Sequence, residues 1–193
     1  MSPSTSTRPE GQPSTIESLG VRHVINCKGT YTAISGSRLV PQAAQAMLSA
    51  SDAYVSIDEL IERVGMRLAE LTGAEWGLVT DGCAAALAQL TAACIAGADP
   101  ERMARLPDTS GMADEVIIQK MHRNQYDHAI ELVGGRLVTV ETAAEYLQAF
   151  GPRTALVAIV GDYEELSTFP IAWMIARAHE RGLPCIVDAA AQR

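Results

Sequence analysis

The chain has 193 residues, enough for one full-sized domain, and its 48% apolar and 20% charged residues are typical of a soluble globular protein. The formal net charge is −8 and the only lysines are Lys28 and Lys120, which disfavours nucleic acid as a direct electrostatic partner. No run reaches the roughly 20 apolar residues that cross a bilayer, and the four cysteines lack metal-ligand spacing, so we expect a cytoplasmic protein without a membrane anchor or metal site.

The N-terminal part is predicted to be a leader followed by helices. Residues 1–15 are rich in serine, threonine and proline and lack the apolar stretch of a secretion signal, which predicts a disordered leader. A helix is predicted at 41–50, with proline in its first turn, and a second at 56–71, with apolar residues three and four positions apart. We therefore predict an N-terminal helical segment over 16–75.

From residue 76 to 193 short apolar runs alternate with helix-length segments. The predicted strands are 77–80, 115–119, 136–140, 154–160 and 184–188, and the predicted helices are 83–96, 127–133, 142–150 and 170–181. Runs that are apolar on both faces and separated by helices indicate an α/β fold, a mainly parallel sheet with helices on both faces. Such sheets bind ligands beyond the carboxyl ends of their strands, so candidate residues are sought there.

The first candidate site is the turn at Gly82 and Cys83, after the predicted strand 77–80. Glycine permits a tight turn, and the free N–H groups of the following helix favour an anion such as phosphate. Any strand-to-helix turn favours glycine, so an ordinary connection is an equal alternative. Asp81 is a natural N-cap that would repel a phosphate, and we expect it to face away.

The second candidate is the polar loop at 120–128. His122 is a candidate to stack on a planar ring, and Arg123 a candidate to hold an anionic group of the substrate. The alternative is a solvated loop followed by a helix that Asp127 caps.

The third and fourth candidates are Asp188 and Arg38. Asp188 ends a buried strand, where a carboxylate needs a cationic or hydrogen-bonding partner, and the alanines after it leave room for a ligand. Its alternative is a cap for the next helix. Arg38 follows a glycine-containing turn near the front of the chain and is a candidate to bind a substrate carboxylate.

Several stretches occur together in an order that resembles a known family. They are 24–32 (VINCKGTYT), the turn at Gly82, 106–112 (LPDTSGM) with 115–119 (EVIIQ), 122–124 (HRN) with 126–129 (YDHA), and 187–192 (VDAAAQ). As a set they resemble the selenocysteine synthase-like group of pyridoxal-phosphate enzymes, which includes L-seryl-tRNA(Sec) selenium transferase and D-glucosaminate-6-phosphate ammonia-lyase. The resemblance runs from about residue 16 to the last residue.

The resemblance implies the large domain of a fold-type-I, homo-oligomeric enzyme whose cofactor is pyridoxal 5'-phosphate. It implies that Gly82 and Cys83 hold the cofactor phosphate and that Asp188 pairs with the pyridine nitrogen. It also implies that His122 stacks on the ring and that Gln192 contacts the ring hydroxyl.

One feature of the family has no counterpart in this sequence. The Schiff-base lysine of the family lies in a Ser-Gly-Gly-Lys segment beyond the aspartate strand, and neither Lys28 nor Lys120 matches it. The small C-terminal domain has no counterpart either. We therefore expect the N-terminal portion of such an enzyme, with no catalytic residue of its own and no activity alone.

The expected reaction of the whole enzyme is β-elimination or β-replacement on a small amino-acid or sugar-acid substrate. A non-catalytic remnant or a binding fragment is the alternative. A dinucleotide-binding domain is disfavoured, because no glycine-rich fingerprint follows a strand.

Overall fold

The computed structural model describes residues 16–190, which form parts of two compact units. The first unit runs to Leu60 and contains two short 3-10 turns, helix α1 (Pro41–Ser51) and the start of helix α2 (Ile57–Thr72). The second unit runs from Ile61 onward. The predicted leader lies outside the described residues, and the domain boundary near residue 75 stays a prediction.

The second unit is built on a four-stranded sheet in which every neighbouring pair is parallel, with the order β2-β1-β3-β4. The strands are β1 (Glu115–Gln119), β2 (Arg136–Val140), β3 (Thr154–Val160) and β4 (Cys185–Asp188). The helices are α3 (Cys83–Ala96), α4 (Pro100–Arg105), α5 (His128–Glu131), α6 (Ala143–Gln148) and α7 (Ile171–His179). The predicted α/β class with a parallel sheet is confirmed.

Helices cover both faces of this sheet because its central strands are apolar on both faces. Val116 and Ile118 of β1 pack in a cluster with residues of α3 and α5, whereas Ile117 between them packs with residues of α6 and α7. β3 alternates in the same way, with Leu156 in the first cluster and Val157 in the second. Successive side chains of a strand point to opposite faces, so each central strand contributes to two cores.

The prediction of a strand at 77–80 is wrong. In the described part of the chain this segment pairs with no strand, and its Leu78 and Val79 are 53% and 69% exposed. The sequence pattern indicates only that the segment is apolar. A strand also needs a neighbouring strand that pairs with its backbone N–H and C=O groups. Helix α4 was not predicted, although proline at its first turn and Asp99 as its N-cap are the usual signals of a helix start.

Among residues 16–190, no helix is both long and apolar enough to cross a membrane.

Tyr146 is the largest fully buried side chain and holds α6 against α7. Its hydroxyl donates a hydrogen bond of 2.8 Å to the carbonyl of Met174, and its ring centroid lies 4.9 Å from that of Phe150. A buried hydroxyl needs such a partner, since it cannot reach water.

We expect Tyr146→Phe to lower the free energy of unfolding by about 1 kcal/mol, because the ring stays packed while the hydrogen bond to Met174 is lost. Tyr54→Phe is the matched control, since Tyr54 is fully exposed, and its effect should stay within about 0.5 kcal/mol. Urea denaturation of both variants checks this. Equal effects would contradict the role given to the hydroxyl.

Candidate active site

An open cleft of about 310 Å³ lies beyond the carboxyl ends of the strands. β2 lies on one side of β1 in the sheet, and β3 lies on the other side. The loops that follow β1 and β3 therefore diverge, and a ligand crevice forms where they part. The cleft is lined by Asn124, Gln125, Tyr126, Val160, Asp162, Tyr163, Asp188 and Ala190.

The loop after β1 is held by its own side chains. Asn124 accepts a 2.8 Å hydrogen bond from the backbone N–H of Tyr126, and Asp127 accepts one of 3.2 Å from that of Asn124. This reciprocal pattern is a capping box, which satisfies the free N–H groups of a helical turn. Asp127 therefore completes the cap of the 3-10 turn before α5, whereas its side chain does not cap α5 itself, contrary to the structural alternative for the loop.

His122 joins the loop after β1 to the end of β3. Its Nδ1 accepts the backbone N–H of Val160 at 3.2 Å, so its proton must lie on Nε2, which is 2.8 Å from the Oγ of Ser167. The hydroxyl of Ser167 in turn donates a hydrogen bond to the carbonyl of Tyr163 at 2.9 Å. His122 is fully buried, with both nitrogens satisfied, so neither face of its ring is open in this structure. The ring-stacking role stays a prediction.

Gln119 makes a second buried link, which the sequence analysis did not find. Its amide donates to the carbonyl of Phe169 at 3.1 Å and accepts from the backbone N–H of Thr168 at 2.8 Å. The signal in the sequence is a polar residue that directly ends an apolar strand. Together, Gln119 and His122 fix the segment that follows β3.

Asp188 lines the cleft and contacts the first residue of α3. The Sγ of Cys83 donates to its Oδ1 at 3.2 Å, and the backbone N–H of Ala190 donates to the same oxygen at 3.0 Å. Partial burial raises the pKa of the Cys83 thiol to about 11, with the hydrogen bond to Asp188 and its negative charge adding to the effect. The thiol therefore keeps its proton at neutral pH.

Gly82 is the N-cap of α3 and has φ +116° and ψ 174°, a conformation that side chains of L residues disfavour. No side chain caps this helix, so its first N–H groups are left for a ligand or water. Asp81 beside it is exposed and does not cap the helix, contrary to its reading as a natural N-cap. The hydroxyl of Thr80 donates to the carbonyl of Gly82 at 2.9 Å and steadies the turn.

The predicted substrate-binding arginines do not line this cleft. The guanidinium of Arg123 is held by Asp127 and by the hydroxyl of Thr139. Arg38 is exposed within the first unit. Gln192 lies outside the described residues. Substrate binding by either arginine stays a prediction, as does cofactor binding by Gln192.

Lys120 is already paired. Its ammonium lies 2.8 Å from Oε1 of Glu141, and this hydrogen bond and the charge of Glu141 raise the pKa of Lys120. Lys28 lies in the first unit, with its ammonium 4.1 Å from the ring centroid of Tyr31. The residues described contain no cluster of three potential metal ligands.

No family model matches the chain. Among curated proteins it is 35% identical to D-glucosaminate-6-phosphate ammonia lyase of Salmonella typhimurium (strain 14028s / SGSC 2262), over 93% of the chain and 52% of that protein. It is 34% identical to 5'-C-glycyluridine monooxygenase-decarboxylase of a Streptomyces species, over 90% of the chain and 47% of that protein. The chain therefore spans about half the length of the curated relatives it matches.

The solved structure of D-glucosaminate-6-phosphate ammonia-lyase superposes with a TM-score of 0.87 at 34% identity, covering 94% of this chain and 52% of that one. The chain is a homologue of D-glucosaminate-6-phosphate ammonia lyase. The resemblance stated from the sequence motifs is confirmed.

The aspartate aminotransferase of Thermotoga maritima superposes with a TM-score of 0.51 at 18% identity, covering 90% of this chain and 48% of that one, and it shows the fold alone. The fold-type-I assignment is confirmed. Pyridoxal 5'-phosphate is the cofactor expected of a homologue of the ammonia lyase with this fold.

The residues at the cleft fit this cofactor. The uncapped start of α3 supplies N–H donors for a phosphate, and Asp188 supplies an acceptor for a protonated ring nitrogen. The contact between Cys83 and Asp188 brings these two groups to one place. Asp162 and Tyr163, which follow β3, were not named from the sequence, and Tyr126 was included in the candidate loop 120–128 without a role of its own.

We expect Gly82→Ala to lower the free energy of unfolding by about 1–3 kcal/mol, because alanine strains the backbone at a φ of +116°. The added methyl group meets no atom within 4 Å, so a clash does not contribute. Gly151→Ala is the matched control, with the same open space and no positive φ, and should not destabilise the chain. Guanidinium denaturation compares the two.

We expect the free energy of unfolding to decrease as the pH falls from about 7 to about 5, in part because of His122. Burial lowers the pKa of His122, and the charge of Glu164 opposes this only in part. Below about pH 6.5 an unfolded chain takes up a proton that the folded chain resists, so the folded state loses stability. His122→Asn should flatten this dependence, as measured by urea denaturation across the pH range. His179→Asn, at an exposed histidine of α7, is the control. It shows how much the loss of an exposed imidazole changes the pH dependence of the free energy of unfolding.

Proposed function

We propose that the chain forms the cofactor-binding part of a pyridoxal-phosphate enzyme that acts on an amino-acid-type substrate. The observation that carries this proposal is Asp188, which ends β4, lines the cleft and lies in contact with the Gly82–Cys83 turn. In this assignment the N–H groups that begin α3 bind the phosphate, and Asp188 holds the proton on the ring nitrogen. When bound, the cofactor supplies an electron sink for negative charge that develops at the substrate Cα.

Sugar acids are the proposed substrate class, because the relative matched over most of the chain is named for D-glucosaminate 6-phosphate. The described lining of the cleft suits a polyhydroxylated molecule, since it offers the amide of Gln125, the hydroxyls of Tyr126 and Tyr163 and the carboxylate of Asp162. Elimination is favoured over replacement because that relative is an ammonia lyase. A cytoplasmic, homo-oligomeric enzyme remains part of the proposal.

Neither lysine of the chain is proposed to form the Schiff base. The contact with Glu141 keeps the ammonium of Lys120 charged, and an amine must lose its proton before it attacks a carbonyl. The 193-residue chain by itself is therefore proposed to bind the cofactor without covalent attachment and without turnover.

We expect Asp188→Asn to weaken the binding of pyridoxal phosphate by about tenfold or more, because a charged hydrogen bond to the ring nitrogen becomes a neutral one. Equilibrium dialysis of the 193-residue chain measures this affinity. Asp81→Asn is the matched control: it removes an exposed carboxylate beside the same turn and should not weaken binding.

Equal weakening in both variants would show that Asp188 acts only through its negative charge and not through a specific contact with the ring nitrogen. Absence of binding by the unaltered chain would contradict cofactor binding. Borohydride reduction of the loaded chain, followed by peptide mapping, tests the lysine assignment. A reduced cofactor adduct on Lys28 or Lys120 would overturn it.

A further inference from the structure

The two oxygens of the Asp188 carboxylate are not equivalent. Oδ1 accepts two hydrogen bonds, one from the thiol of Cys83 at 3.2 Å and one from the backbone N–H of Ala190 at 3.0 Å. Within residues 16–190, no donor reaches Oδ2. A carboxylate oxygen has two lone pairs, so Oδ1 is satisfied by the protein and Oδ2 retains its full capacity as an acceptor.

The thiol of Cys83 is the side-chain contact that orients this carboxylate. The two residues are 105 positions apart in the chain, and their contact connects the first turn of α3 to the end of β4. The bond from Ala190 is local, since it comes from the residue two positions after Asp188. A local bond alone ties the carboxylate only to its own segment of backbone, whereas the bond from α3 fixes it to a helix packed on the sheet.

We infer that Cys83 is a positioning residue whose thiol holds Oδ1 of Asp188, so that Oδ2 is presented to the protonated ring nitrogen of pyridoxal phosphate. This inference rests on the proposed function and divides the role of Cys83 in two. Its backbone N–H belongs to the phosphate turn, and its side chain serves the ring-nitrogen partner instead of the phosphate.

The protonation of the thiol is consistent with this role. A thiol must keep its proton to donate, and partial burial together with Asp188 raises the pKa of Cys83 to about 11. Cys83 is nevertheless exposed, so alkylating reagents reach it. We therefore expect the alkylation rate of Cys83 to depend on its hydrogen bond to Asp188 as well as on its partial burial.

The contact is tested first without cofactor, by the rate at which iodoacetamide alkylates each cysteine of the full chain, resolved by mass spectrometry. In Asp188→Asn, the Cys83 rate should rise roughly threefold or more at about pH 8.5, because the charge that favours the thiol is gone. Cys94 of the same helix is the internal reference, since burial alone raises its pKa. Asp81→Asn is the control for loss of a neighbouring carboxylate. An unchanged Cys83 rate in Asp188→Asn, or an equal rise in Asp81→Asn, would overturn the contact.

The positioning role is tested by the affinity for pyridoxal phosphate. Cys83→Ala should weaken binding by on the order of threefold to tenfold, and Cys83→Ser should restore it to within about twofold, because a hydroxyl also donates to Oδ1. Unfolding curves establish that each variant is folded. Unchanged affinity in Cys83→Ala, or equal losses in both variants, would overturn the role of the thiol as a donor.

The two measurements fail in different ways. If the unaltered chain binds no pyridoxal phosphate, the proposed function fails together with the ring-nitrogen half of the inference. The alkylation rates still decide whether the thiol holds Asp188.

Discussion

β1 and β3 are buried on both faces, and this burial confines polar side chains to the ends of the strands, of which the carboxyl ends border the cleft. A polar side chain inside either strand would have to find its partner within an apolar core. The polar side chains that end β1 or follow it meet that requirement by bonding to the end of β3 and to the segment after it. Gln119 and His122 are the result, two fully buried polar side chains with protein partners.

These buried links give the cleft its walls. Because His122 bonds to Val160 and Ser167, the loop after β1 and the segment after β3 are fixed relative to each other. The aromatic rings that line the cleft, Tyr126 and Tyr163, are carried by these two segments. A neutral imidazole suits this position better than a charged one, since Nδ1 must accept and burial disfavours the cation. In this structure His122 therefore fixes the two segments that line the cleft.

Features set by local sequence could be predicted, whereas features set by contacts between distant residues could not. The four strands of the sheet were found because buried runs of valine and isoleucine are local signals, and Asp188 because it ends such a run. The segment 77–80 carries the same signal but has no partner strand among the described residues. The local sequence of a segment does not show which strand it pairs with. The roles of His122 and Arg123 depend on their hydrogen-bond partners. His122 bonds to Val160 and Ser167. Arg123 bonds to Asp127 and Thr139. Only the residue types, and not those partnerships, are visible in the sequence.

The charges at the cleft favour a helix start as the proposed site for the cofactor phosphate. The described lining contains two carboxylates, Asp162 and Asp188, and no lysine or arginine. Arg123 and Lys120 are nearby in sequence, but each is neutralised by a carboxylate of its own. In the proposed site, oriented N–H dipoles would stabilise the anionic group of the cofactor, and Gly82 would let the backbone present them without a side chain in between. A thiol next to that glycine adds a donor without adding charge, so it can hold Asp188 while leaving the carboxylate negative for a protonated ring.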